Sequence, residues 1–193
     1  MALLDENDPI GSVFAPLLGL PCWNVQKGQG SFLTFEFGDP SLHVREPIES
    51  TTAASAKVMA WRRMRTVRPI GEWHLWIYCC NWRCFAGGDE IAHSESEGGK
   101  IEAAVSELNG QRLQSVSVDP DNGASSFSFD LGGVLQTWPY DDEDLDEQWS
   151  LARRSGDVFA YRKDGRYSWS APDMRSGQAI WLPLPLGRSG AGT

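Results

Sequence analysis

Three observations predict a mainly β, β-rich α+β fold for this 193-residue chain. Apolar and polar residues alternate over Phe32–Phe37 and Trp73–Tyr78, and a period of two marks half-buried strands. Turn-forming Gly, Asp and Asn residues separate these runs. An ordered series of features also recurs, first from Leu18 and again from Asn109. It predicts two tandem, diverged copies of a small antiparallel β unit, with one or two short helices.

In the first copy, Asn24–Lys27 and Phe32–Phe37 flank a Gly28-Gln29-Gly30 turn and read as a hairpin. Leu33, Phe35 and Phe37 point one way, Thr34 and Glu36 the other. Gly38 allows a turn, and Leu42 and Val44 begin a third strand. Residues Thr51 to Arg65 read as a helix, with Ala54, Val58 and Trp61 on one side and Thr51 or Thr52 as the cap. Trp73, Leu75 and Ile77 then alternate with His74, Trp76 and Tyr78. A strand, turn and strand follow at residues 84–94.

Ile101, Ala104, Val105 and Leu108 share one face of a short helix that links the copies. In the second copy Asp119–Gly123 forms a turn, and Phe127, Phe129 and Leu131 repeat the inward face. Leu135 starts the next strand, Trp149 and Leu151 occupy another, and residues 158–170 supply a last pair. The reading pairs Gly19 with Gly110, Phe35 with Phe129 and Trp73 with Trp149. The expected division is 1–97, 98–170 and a Pro/Gly-rich tail at 171–193, with the copies as two similar lobes sharing one interface. Trp181–Leu186 is expected to dock as an extended strip, with a disordered end from Gly187.

Composition narrows the function. Hydrophobic residues are 41% and charged residues 22%, a globular balance that needs no disulfide or metal staple at this length. A net charge of −9 disfavours a nucleic-acid partner, which calls for a basic footprint. Apolar runs stop short of the roughly 18 residues of a spanning helix, and acids stand where a secretory signal needs basic residues. No membrane association and a cytoplasmic location are therefore expected, with Cys22, Cys79, Cys80 and Cys84 reduced.

Chemical motifs are sparse. His43, His74, His93 and the Cys79, Cys80 and Cys84 cluster include metal-ligand types, yet no CxxC or HExxH pattern is present; no metal and no cofactor are expected. A thiol paired with His74 or His93 would be needed for cysteine catalysis, and no GxSxG elbow occurs. Nine tryptophans are enough to supply surface anchors as well as core. Trp76 and Trp82 lack counterparts in the second copy and are candidate binding residues. The run Asp141, Asp142, Glu143, Asp144, Leu145, Asp146, Glu147 holds six acids and is the other candidate, for a basic protein partner. It could instead pair within the chain with Arg62, Arg63 and Arg65.

Through LGLPCWNV, GSFLTFEFG, GEWHLWIYC, FDLGG and EQWSL the chain resembles an uncharacterised family of small bacterial proteins over most of residues 17–170. In type it is similar to the immunity proteins of toxin systems. That resemblance implies structural motifs and no catalytic residue. The function expected from sequence is thus non-enzymatic protein binding, of immunity or regulatory type, through an acidic, Trp-containing surface. A sugar or small-molecule module with a Trp-lined cleft between the lobes is second, and a Cys/His-dependent enzyme third.

Overall fold

The computed structural model describes residues 5–48, 56–141, 144–154, 156–171, 174 and 178–185. The proposed caps Thr51 and Thr52, the acids Asp142 and Glu143, and the end from Gly187 lie outside them.

A helix absent from the sequence reading comes first: α1, Pro9–Phe14. Asp8 caps it, accepting from Gly11 N at 2.9 Å, and Pro9 sits where a missing N–H costs nothing. Its buried Ile10, Val13 and Phe14, continued by Leu17 in a 3-10 turn, seal one opening of the core.

The chain continues as β1 (Trp23–Lys27), β2 (Leu33–Phe37), β3 (Ser41–Arg45), α2 (Ala56–Arg62), β4 (Thr66–Ile70), β5 (Trp73–Ile77), β6 (Asn81–Ala86) and β7 (Asp89–His93). Then come α3 (Gly98–Leu108), β8 (Leu113–Asp119), β9 (Ala124–Phe129), β10 (Gly133–Trp138), β11 (Glu147–Arg153), β12 (Val158–Arg162), β13 (Arg166–Ser170) and β14 (Leu182–Pro183). Sheet 1 has the order β1-β2-β5-β11-β12-β13-β14, and sheet 2 the order β7-β6-β10-β9-β8. A separate ribbon pairs β3 with β4. All pairings are antiparallel.

The expected side-by-side lobes do not form. After β5 the chain leaves sheet 1 and supplies β6 and β7 to sheet 2; after β10 it leaves sheet 2 and supplies β11 and β12 to sheet 1. Each sheet therefore joins strands from both halves, and the buried side chains make one core. Phe35 and Phe129 meet across it with ring centroids 6.3 Å apart. Trp149 packs against Phe14, Phe127, Phe159 and Tyr161. Helix α3 turns Ile101, Ala104, Val105 and Leu108 inward and contacts β1 and β7, closing one side between the sheets.

Gly19 and Gly110 make reciprocal bonds. Gly19 N donates to Leu113 O, and Gly110 N donates to Cys22 O, both at 2.7 Å. Both glycines have left-handed φ, +82° and +95°, a conformation that costs other residues about 1–2 kcal/mol.

The tryptophan register differs from the sequence reading. Trp73 and Trp149 lie on adjacent strands of sheet 1, Trp73 opposite Arg153 and Trp149 opposite Ile77. By strand order Trp149 corresponds to Trp82, since each stands on the first strand after a crossover. Trp82 faces Thr137, as Trp149 faces Ile77, and both indoles are buried. Leu131, expected inward, is 74% exposed because β9 ends at Phe129 and Leu131 falls in the next turn. Its inward role passes to Ser125, whose hydroxyl accepts from Trp149 Nε1 at 2.9 Å.

Leu42 and Val44 also leave the core. They sit in β3, in an arm of residues 41–70 that rises between β2 and β5. Arg45 holds the arm together: its guanidinium donates to Trp61 O and Met64 O, at and just past the α2 end, at 2.9 and 3.1 Å, where a cation suits unpaired carbonyls. It also lies over the Trp61 ring at 3.8 Å. No helix of the described residues is long and apolar enough to cross a membrane.

Candidate functional site

A recess of about 660 Å3 opens on the outer face of sheet 1. Its floor comes from alternate residues of β1, β2 and β5, the positions that a period of two turns away from the core. Arg68 and Pro69 of β4 form a wall from the arm. The volume is within the usual range of roughly 300–1,000 Å3 for small-ligand sites.

Glu36 is the best-buried charge here, 5% exposed. One carboxylate oxygen accepts from Gly71 N at 2.8 Å and the other meets His74 Nδ1 at 2.9 Å. With Glu36 as a carboxylate, Nδ1–H is the donor of this pair, which leaves Nε2 for another partner. Gly71 is required sterically: a Cβ there would lie 2.5 Å from Phe37 O. Asn24 has a left-handed φ of 50°, tolerable for Asn, and its side-chain oxygen accepts from Gln26 Nε2 at 2.7 Å.

An aromatic strip adjoins this polar floor. Trp76 is 39% exposed, with ring centroids 6.0 Å from Phe32 at 78° and 4.3 Å from Tyr78 at 31°. The Tyr78 hydroxyl donates to Glu147. Burial first, and then the Glu147 carboxylate, raise its pKa far above the usual tyrosine range.

Of the residues proposed from sequence, Trp76 and Glu147 are brought together, through Tyr78. Trp82 is not a surface residue: it is 1% exposed and its Nε1 donates to Ser31 O at 2.7 Å. Asp141 and Asp144 are exposed, whereas Asp146 and Glu147 are partly buried. Asp146 O accepts from Lys163 N. The acidic run enters β11 at the Tyr78 end of β5, while the arm is rooted at the Trp73 end. Within the arm, Arg65 pairs with Glu46 instead.

Glu36, His74, Phe32 and Arg68 were missed as a group. Two of them are polar outward residues of otherwise core-building strands, a faint signal; Arg68 needs the tertiary fold.

The thiols do not gather with the imidazoles. Cys22 and Cys80 donate to Leu108 O and Gln148 O at 3.0 and 3.4 Å. Burial raises the Cys22 thiol to about 11 and the Cys84 thiol to about 12, far from the thiolate a nucleophile needs. No disulfide joins the four cysteines. Among the described residues no three His, Cys, Asp or Glu converge as a metal site, and no hydroxyl or thiol is bonded to His74 Nε2. The recess itself brings together an imidazole oriented by a carboxylate, carboxamides and an aromatic wall.

Comparison with protein-family models, with curated proteins and with solved structures gives no match.

Proposed function

We propose that this chain is a non-enzymatic binding protein that holds another protein on its 41–70 arm. The observation that supports this is a concentration of exposed apolar side chains. Leu42, Val44, Ile48, Val58, Trp61, Met64 and Val67 are all solvent-exposed. Apolar groups at this density mark interaction surfaces, and Trp, Met and Arg are the residue types that protein interfaces favour. The arm also holds six Lys or Arg against two Glu in a chain of net charge −9, so the partner surface is acidic. An immunity-type or regulatory role for another bacterial protein is the specific form of this proposal. A cytoplasmic location is part of this proposal, and cysteines not joined in disulfides suit a reducing compartment.

A second reading keeps the acidic run as the contact for a basic protein. Leu145 and Trp138 are exposed near Asp141 and Asp144, giving apolar anchors beside the charge.

The test is affinity capture from the native host with three baits: wild type, a Trp61→Ser/Met64→Ser/Val67→Ser triple, and an Asp141→Lys/Asp144→Lys double. A specific protein lost only with the triple supports the arm. Loss only with the double transfers the function to the acidic run. Capture indifferent to both rejects both surfaces.

A further inference from the structure

We infer that the recess under the arm is a binding site for an acidic saccharide, a pyranose carrying a carboxylate. This goes beyond the protein-partner proposal and, apart from Arg68 and Pro69 of the arm, uses different residues.

The fold itself does not call for the polar groups here. A charge buried against a sheet face costs desolvation energy, and an apolar residue there would serve stability as well or better. The corresponding face of sheet 2 shows this. Its row Ser128–Val134–Phe85 stands where sheet 1 has Glu36–His74–Ala152. The neighbouring row is Ser126–Gln136–Arg83 in place of Thr34–Trp76–Ser150. Sheet 2 thus has the same strand order without the carboxylate–imidazole pair, and its outer tryptophan, Trp138, stands one pair further along beside Arg83.

The side chains define the ligand. Phe32 and Trp76 meet at 78°, so they form a corner rather than two parallel walls. A flat base would be sandwiched poorly, whereas a pyranose, with C–H bonds on its faces and edges, fits a corner. Asn24, Gln26 and Thr34 carry groups that both donate and accept, as sugar hydroxyls do. His74, oriented by Glu36 through Nδ1, offers Nε2 to one more hydroxyl. Both Glu36 oxygens are already engaged, which leaves Lys27 and Arg68 at the rim as the charges that face a ligand. Their sign selects a carboxylate.

The experiment is titration of the full chain with glucuronic acid, galacturonic acid and cellobiouronic acid, and with glucose, galactose, cellobiose and AMP. Calorimetry and the indole N–H signals in NMR spectra are the readouts. At least one acidic sugar should bind with Kd below about 1 mM and its neutral counterpart at least about tenfold more weakly. Trp76→Ala should weaken binding about tenfold or more. Lys27→Ala/Arg68→Ala should abolish the preference for the acid. Glu36→Gln, with an unchanged melting temperature, should weaken binding by releasing the imidazole. The Trp61/Met64/Val67 triple should leave sugar binding intact, which separates this site from the arm's protein contact. Three outcomes overturn the inference: no sugar bound at about 10 mM, binding indifferent to Trp76→Ala, or AMP preferred over every sugar.

Discussion

The outer faces of the two sheets are laid on strands in matching order, and they carry different chemistry. Sheet 2 presents Ser126, Ser128, Val134 and Gln136, with Arg83 lying over the Phe85 and Trp138 rings. Sheet 1 presents a buried Glu36, a bonded His74 and a half-exposed Trp76 beside Phe32 and Tyr78. One half also carries the arm between its second and third strands, where the other has the short turn from Asp130 to Gly132. Inside the sandwich the two sheets present like rows: Phe35–Leu75–Leu151 stands where sheet 2 has Phe127–Leu135–Cys84, and Trp82 and Trp149 are each buried just after a crossover. The shared interior is what the fold requires. The unshared exterior is where function has room to be placed.

The largest expected effects test the interior half of this comparison. Trp82→Ala and Trp149→Ala should each cost about 3–5 kcal/mol in urea unfolding. If only one did, the two positions would not be equivalent in the core. Trp76→Ala, on the outside, should cost under about 1 kcal/mol.

Alkaline pH comes next. Cys22, Cys84, Cys80, Tyr78 and Tyr161 all have pKa values raised by burial. The unfolded chain releases these protons first, so stability is whole below about pH 9 and falls as pH rises above the unfolded thiol value. Cys22 alone, with its pKa at about 11 against 9.0, should account for about 2–3 kcal/mol by pH 11. Its counterpart in the Gly19/Gly110 bonding is Leu113, which does not titrate. Cys22→Ala should therefore flatten the loss of stability between pH 9 and 11, and an unchanged slope would assign that loss to the other groups.

Smaller effects are expected at the paired glycines. Gly19→Ala and Gly110→Ala should each destabilise by about 1–2 kcal/mol, from the left-handed backbone alone. Equal losses fit their reciprocal bonding; a neutral substitution at either would show that its strand entry can relax.

The smallest effect concerns the arm. Replacing residues 40–69 by a short Asp-Gly turn of the kind that spans Asp130–Gly132 should change stability by under about 1 kcal/mol, because the arm contributes little to the core and loop length enters only logarithmically. A large loss measured by thermal unfolding would make the arm part of the fold rather than a surface added to it.

Much of this was legible in the sequence. The inward positions of Leu33, Phe35, Phe37, Trp73, Leu75 and Ile77 follow from a period of two, a purely local property. The four inward residues of α3 follow likewise from helical spacing. Helix α1 has its own local signals: Asp8 as cap, Pro9 at the first position, and Ile10, Val13, Phe14 and Leu17 on one side. Its brevity and acidic flank hide it beside the stronger strand patterns. Leu42 and Val44 look like core residues by alternation and are not, since a two-stranded ribbon has no second sheet to bury them.

The sequence by itself determined most of the strands, the inward faces of the core-building ones and the turn glycines, because backbone sterics and side-chain alternation act within a few residues. Only the tertiary structure decided which strands became neighbours. The crossovers after β5 and β10 exchange strands between the sheets, since the core closes by packing residues far apart in the chain. That exchange made Trp82 rather than Trp73 the counterpart of Trp149. It also set Tyr78 against Glu147, while the fold-back of the arm brought Arg68 to the recess. Periodicity tells which way a side chain faces, but not what it will face.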